Sequence, residues 1–197
     1  MTKYLFGAAT AALLLAMPGA ASAQRGGAAG ILIVDTDRIM GTCTACVAAN
    51  AQLRTQAQSI QARQQQIQQQ LGTEGQPLQT AVQALGGRQP DAALQQRITA
   101  FQQHQQQFEQ ELQGRQQTFD STRENVTRQI GQRLIAIVEQ VRAQRGATIA
   151  ISKAGTLAND ASVDVTTDVL NQLNQQLPSV SVTPMPASAP GTQPQGR

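Results

Sequence analysis

Between Leu53 and Leu85 one set of positions recurs at near-alternating fours and threes: Leu53, Ala57, Ile60, Gln64, Ile67, Leu71, Glu74, Leu78, Val82 and Leu85. That spacing puts them on a single stripe of a long helix, and the residues between them are nearly all polar, so the stripe can bury itself only against a partner helix. The partner follows in sequence. Gly86-Gly87-Arg88-Gln89-Pro90-Asp91 is a reversal signal, and Asp91 is a candidate N-cap for what comes next. The stripe then resumes as Leu94, Ile98, Phe101, Gln105, Phe108, Leu112, Arg115, Phe119, Thr122 and Val126. It shifts phase through Ile130, Leu134, Ile137 and Val141, which widens or rotates the apolar face. At that level the second helix is expected to exchange its hairpin mate for a separate body.

At about 1.5 Å per residue the return helix, from Leu94 to Arg145, spans roughly 75 to 80 Å. The first arm carries Gly72, Gly75 and Pro77. Proline removes an amide donor and clashes with the preceding turn, so the expectation is a helix over 44–71, a loosened segment, and a short helix ending at Leu85.

The segments flanking the hairpin are too small to fold as a large globule. Ile31 to Val34 is a short β-branched apolar run ending at Asp35-Thr36-Asp37, read as a strand buried on both faces that leads into a turn or helix start. Gly146 ends the long helix, Thr148 to Ser152 reads as a second strand, Ser162 to Val165 as a short third, and Thr166-Thr167-Asp168 as the start of a helix over 169–177. The fold class is therefore α+β: a small β body over 31–43 and 146–177, carrying a long antiparallel helical hairpin over 44–145. Such a body is marginal by itself, and oligomerisation is the natural way to cover it.

Composition agrees with a chain built as an arm. Trp is absent, and the four Phe are Phe6, Phe101, Phe108 and Phe119, so few large side chains exist to fill an interior. Lys3 supplies a positive start, Tyr4 to Met17 is an almost unbroken apolar run, and Ala21-Ser22-Ala23 is a small-x-small cleavage site. These features read as a cleaved signal peptide over 1–23, since a membrane span needs about 20 apolar residues and this run is shorter. A Gly/Ala linker over 24–30 follows. Lys3 is the only charged residue of the leader, so 14 of the 15 basic residues remain against 12 acidic ones. That small excess is spread along the helices, which gives nucleic-acid binding little support. Residues 178–197 contain five prolines among Ser, Thr, Gln and Gly and are expected to be a disordered tail.

Cys43-Thr44-Ala45-Cys46 invites two readings. A CxxC at a helix start in an oxidising compartment resembles a thiol-disulfide site, but the βαβ context, aromatic residues and proline of such sites are missing, which favours a structural disulfide of Cys43 and Cys46 or a pair buried at the subunit junction. A zinc site would need ligands from elsewhere. His104, the sole histidine, has no sequence partner and is expected to face solvent. Asp35 and Asp164 are expected to terminate strands or cap turns. No Gly-rich phosphate loop or paired-carboxylate cleft is present, so no cofactor and no enzymatic role is expected.

The arrangement resembles the OmpH-like (Skp) family of periplasmic outer-membrane-protein chaperones over roughly Ile31 to Gln175. The resemblance rests on the first strand Ile31-Leu32-Ile33-Val34-Asp35, on Phe101, Phe108, Glu109, Gln116 and Phe119 of the return helix, and on Ile149 to Lys153 followed by Ala161 to Leu170. It implies an ATP-independent holdase in which three subunits join through their β bodies and three arms enclose an unfolded outer-membrane β-barrel protein. Family members carry arms rich in Lys; here Gln and isolated Arg take their place. Arg54, Arg63, Arg97, Arg115, Arg123, Arg128 and Arg133 become candidate contacts for client carboxylates or an anionic membrane surface. Leu53, Ile60, Ile67, Leu71, Leu94, Ile98, Phe101, Phe108, Leu112, Phe119 and Val126 become the expected arm core. The alternatives are a structural coiled-coil adaptor of the envelope and a CxxC thiol-disulfide protein.

Overall fold

The structure, a computed structural model, describes residues 30–185. The expected signal peptide and all of the linker but Gly30 lie outside the described residues. The chain runs β1 (Ile31–Val34), α1 (Thr36–Thr42), α2 (Thr44–Ala84), α3 (Ala92–Gln144), β2 (Ile149–Ser152), two short 3-10 turns (Lys153–Gly155 and Ala161–Val163) and α4 (Thr166–Gln176). It is a mostly helical fold with one small open sheet.

The sheet has two strands only. β1 and β2 pair in parallel, Ile31 opposite Ile149 and Val34 opposite Ser152, so the whole of α1, α2 and α3 is the crossover between them. The expected third strand is not one: Ala161–Val163 is a 3-10 turn, and the segment meets β1 through a single bridge between Ile33 and Asp164. Asp164 is the reason, because its carboxylate turns back to accept from the Thr166 amide at 3.0 Å and starts α4 instead of extending the ladder. Along β1, Leu32, Ile33 and Val34 are buried, whereas Ile31, expected inside, is 47% exposed.

Polar side chains organise the junctions. Asp35 accepts from the Arg38 amide at 2.9 Å and caps α1, while its own amide donates to the Thr166 hydroxyl at 2.8 Å. The first amide of α2, that of Thr44, donates to the Asn174 side chain of α4 at 2.8 Å. Helix ends leave such donors without partners; the bond to Arg38 is local, while the bonds from the Asp35 and Thr44 amides tie α4 to the starts of α1 and α2. Beneath them lies the core, in which Ile130, Leu134, Ile137 and Val141 of α3 meet Leu32, Val34, Ile39, Val169 and Leu173.

α2 and α3 lie side by side, joined by Leu85 to Asp91. Gly86 and Gly87 take φ values of 57° and 92°, a left-handed backbone that glycine adopts without strain. Asp91 accepts from the Leu94 amide at 2.8 Å and caps α3. The sequence expectation of a broken first arm is corrected: α2 is one helix of 41 residues and continues through Pro77. Pro77 and Thr73 both face solvent, so the Thr73 carbonyl that lacks an amide partner at 77 is open to water. Leu71, Glu74 and Leu78 meanwhile keep the helix packed on α3. Gly75 permits that packing, since a Cβ there would stand 3.1 Å from the Phe101 ring.

The tail expectation is corrected as well. Over 178–185 the chain does not leave the fold but turns back along α2 and α3, with Val180 and Val182 packed against the core cluster. Residues 186–197 lie outside the described residues.

The glycines supply a test of opposite signs. Around Gly72 nothing comes within 4 Å of an added Cβ, so Gly72→Ala should stabilise by up to about 1 kcal/mol through helix propensity. At Gly86 the positive φ should make Ala cost about 1 to 2 kcal/mol. Thermal melts of the two variants should shift in opposite directions; a shift of both the same way would contradict the assigned backbone.

Candidate functional site

Two helices packed on each other bury one seam, and the seam here is thin. Leu53, Ile67, Leu94 and Val126 are buried, while Ile60, Leu71, Ile98, Phe101, Phe108, Leu112 and Phe119 are half-buried. Four residues that the sequence reading put on the stripes, Gln64, Val82, Gln105 and Arg115, are exposed. The cause is geometric: a straight helix drifts about 20° per heptad against a strict seven-residue repeat. Arg63 and Ala81 therefore take the inward places next to Gln64 and Val82.

Arg63 brings charge to the seam. Its Nε and Nη2 donate to the two carboxylate oxygens of Glu111, each at 2.8 Å, and its guanidinium stands 5.6 Å from the Phe108 ring centroid. Arg115 donates to the same carboxylate at 2.8 Å. The hydrogen bond from Arg63, then that from Arg115, hold the Glu111 carboxyl at about 2, well under its usual 4.5. A second polar link crosses nearer the tip, where His104 Nδ1 meets Glu74 Oε2 at 2.9 Å. His104 is half exposed, as solvent-facing histidines are, but it does have a partner across the seam.

The structure disperses the other candidate arginines. Arg54 and Arg123 converge on one groove of about 480 Å³ whose floor includes Met40, Leu53, Phe119 and Val126. Arg123 stays 3.6 Å from Asp120. Arg97 sits near the tip beside Pro77, Phe101 and His104. Arg128 donates to the Asn125 side chain at 3.2 Å, and Arg133 is exposed. Of the candidates, only Arg54 and Arg123 share a concave surface above an apolar floor. Sequence spacing alone does not reveal that pairing, because the two residues lie on different helices.

Cys43 and Cys46 are joined as a disulfide, and both residues are buried. The Cys46 amide donates to Cys43 Sγ at 3.0 Å, so this pair caps the start of α2. Disulfide exchange requires a thiolate to reach a sulfur, and burial here denies that access. Among the described residues no group of three or more His, Cys, Asp or Glu side chains could hold a metal ion, and no helix is long and apolar enough to cross a membrane.

Two features were not foreseen from the sequence. One is an apolar groove of about 370 Å³ beside the open sheet edge, lined by Val34, Leu134, Val138 and Ile151, with Ile135 and Ile149 exposed next to it. The other is the course of residues 178–185 along the hairpin.

Acid titration tests the Arg63–Glu111–Arg115 group. A carboxyl whose folded value is depressed stabilises fully above its unfolded value near 4.5, and the contribution fades as pH falls toward about 2. The difference in melting temperature between the unaltered chain and Glu111→Gln should thus be constant from pH 7 to about 4.5 and close below it. A difference that persists at pH 2 would show that the carboxylate is not the stabilising form.

The family described as outer membrane protein (OmpH-like) matches residues 30–173. Among solved structures, the chain is similar to a candidate outer membrane chaperone (OmpH-like) from Caulobacter crescentus CB15, with a TM-score of 0.67 and 18% identity over 94% of this chain and 98% of that one. No curated protein matches it. The family match covers the strand, both long helices, the second strand and most of α4, and the chain belongs to the OmpH-like outer membrane protein family.

Proposed function

We propose that this chain is an ATP-independent periplasmic holdase that binds unfolded outer-membrane β-barrel proteins and prevents their aggregation. Family membership supports the class, and the leader over 1–23 supports export with cleavage after Ala23. The observation that carries the reading is the hairpin itself: about 60 Å of α2 and 80 Å of α3, helices of 41 and 53 residues, share one thin seam. In this reading α2 and α3 form a coiled-coil arm that protrudes from the body over 31–43 and 146–177.

The chemistry required of a holdase is slight. A client must be held at many weak places, because multivalent contact raises avidity while each contact stays fast to release. The groove containing Arg54 and Arg123 suits that task, with cationic heads over an apolar floor. Arg97 and Arg133 would add isolated contacts for client carboxylates or anionic lipid. Arg63 is committed to Glu111 and would serve the arm instead.

Three copies would join through their bodies. The patch of Ile31, Ile135 and Ile149, at 47%, 71% and 46% exposure, flanks the open edge of the sheet. Burying apolar surface there returns about 25 cal/mol per Å², and among the described residues no element covers it. An envelope adaptor would share this architecture but lack affinity for denatured barrels.

Two measurements test the proposal. The mature chain should suppress aggregation of an unfolded outer-membrane barrel at stoichiometric concentration without nucleotide. In the double variant Arg54→Gln/Arg123→Gln the amount needed should rise about two- to thirtyfold at low salt, as expected for two exposed charge contacts of about 0.2 to 1 kcal/mol each. Absence of suppression at low and moderate salt would leave the adaptor reading. Separately, Ile135→Asp should convert the assembly to monomers by light scattering; an unchanged mass would remove this patch from the interface.

A further inference from the structure

The segment after α4 is bound in an unusual way: its main chain is held by side chains. Gln129 donates to the Ser181 carbonyl at 3.0 Å and accepts from the Ser181 amide at 3.1 Å, pairing with both backbone groups of one residue as a neighbouring strand would. Asn125 donates to the Thr183 carbonyl at 3.0 Å, and Gln56 reaches across from α2 to the Val182 carbonyl at 3.3 Å. The Met185 amide donates to the Ser121 hydroxyl at 3.1 Å. Such bonds read peptide backbone and are indifferent to most of the sequence that presents it.

The side chains of the segment have their own pattern. In Ser179-Val180-Ser181-Val182-Thr183 the valines pack inward against the core cluster, and the three hydroxyl residues are exposed. Alternation of apolar and polar residues with period two is the sequence signature of an outer-membrane barrel strand. The seat also extends past its occupant: beyond Met185 the same side of the hairpin continues as an open groove of about 590 Å³ lined by Ser59, Ile60, Gly114 and Thr118 together with the paired Glu111 and Arg115. At about 100° per residue, Gln56 lies about 200° around α2 from Arg54, and Asn125 about 200° around α3 from Arg123. The seat is thus on the opposite side of the seam from the cationic groove.

We propose that this side of the hairpin root is a binding seat for an extended, alternating apolar and polar polypeptide segment, and that residues 178–185 occupy it as a tethered stand-in for such a segment of an unfolded barrel. This rests on the holdase reading for the identity of the client. A short tether holds the strap at an effective concentration in the millimolar range, so a free segment must displace it. The strap keeps the seat covered until a client supplies many contacts at once.

The test uses a labelled peptide with the sequence of residues 178–185 and the full mature chain, unaltered or carrying Val180→Asp/Val182→Asp to release the strap. The released chain should bind the peptide about tenfold more tightly than the unaltered chain, and adding Asn125→Ala and Gln129→Ala to it should abolish that binding. Equal affinity in the two chains would overturn the proposal. A second measurement needs no variant: adding an unfolded barrel to the unaltered chain should speed hydrogen exchange at the Ser181 and Met185 amides, and unchanged exchange with client bound would overturn the displacement. If the unaltered chain fails to hold any client yet the released chain binds the peptide, the holdase reading falls while the seat stands.

Discussion

A pair of helices can bury only the surface it shares, and every other property of this molecule follows from how little that is. From Leu53 to the tip and back to Val126 the buried apolar side chains are spaced far apart: Leu53, Ile67 and Leu78 on one helix, Leu94 and Val126 on the other. Half-buried phenylalanines and cross-seam ion pairs fill the intervals. The dense packing is at one end, where Ile130, Leu134, Ile137 and Val141 meet β1, α1 and α4. Stability is thereby graded along the hairpin, high at the root and falling toward Gly86, and local opening is expected first where buried contacts are fewest.

The root carries additional constraints that the tip lacks. The Cys43–Cys46 disulfide closes the turn between α1 and α2, Asn174 accepts from the first amide of α2, Asp35 caps α1, and Asp164 accepts from the first amide of α4. The side chain and amide of Thr166, together with Lys153, hold the Asp164 carboxyl below its usual range. These are short-range polar devices around a two-stranded parallel sheet, a pairing too small to be independently stable. They tie β1, α1, α2 and α4 together at the end of the helix pair where packing is densest.

What the sequence made legible was whatever depends on neighbours a few residues apart. The Gly86–Asp91 reversal, the Asp91 cap and the left-handed Gly146 just past the end of α3 are local patterns, and each stands where the spacing put it. Pro77 misled because its cost of about 3 kcal/mol is a local quantity, whereas the continuity of α2 is decided by Leu71, Glu74 and Leu78 packing on a helix that is distant in sequence. The strict heptad failed at Gln64, Val82, Gln105 and Arg115 because straight helices drift from it. The strap was illegible for a different reason: proline, serine and valine look like an unstructured tail until Gln129 and Asn125 are seen to face them, and glutamine within a helix carries no sequence mark of what its amide will meet.

That last point gives the glutamines of this arm a physical meaning. A lysine on a helix holds an anion by charge, an attraction that salt screens within about 8 to 10 Å. A glutamine presents a donor and an acceptor together, the same pair of groups that a peptide bond offers, and its bonding is nearly independent of ionic strength. Gln129 uses both halves of its amide on Ser181, so on this side of the hairpin a polar side chain does the work of a strand edge. Helices carrying such residues can hold extended chain without becoming a sheet, and so without presenting the continuous open edge that invites aggregation. Asn125 and Gln56 likewise donate to the carbonyls of Thr183 and Val182, so this side of the two helices holds extended chain through its backbone.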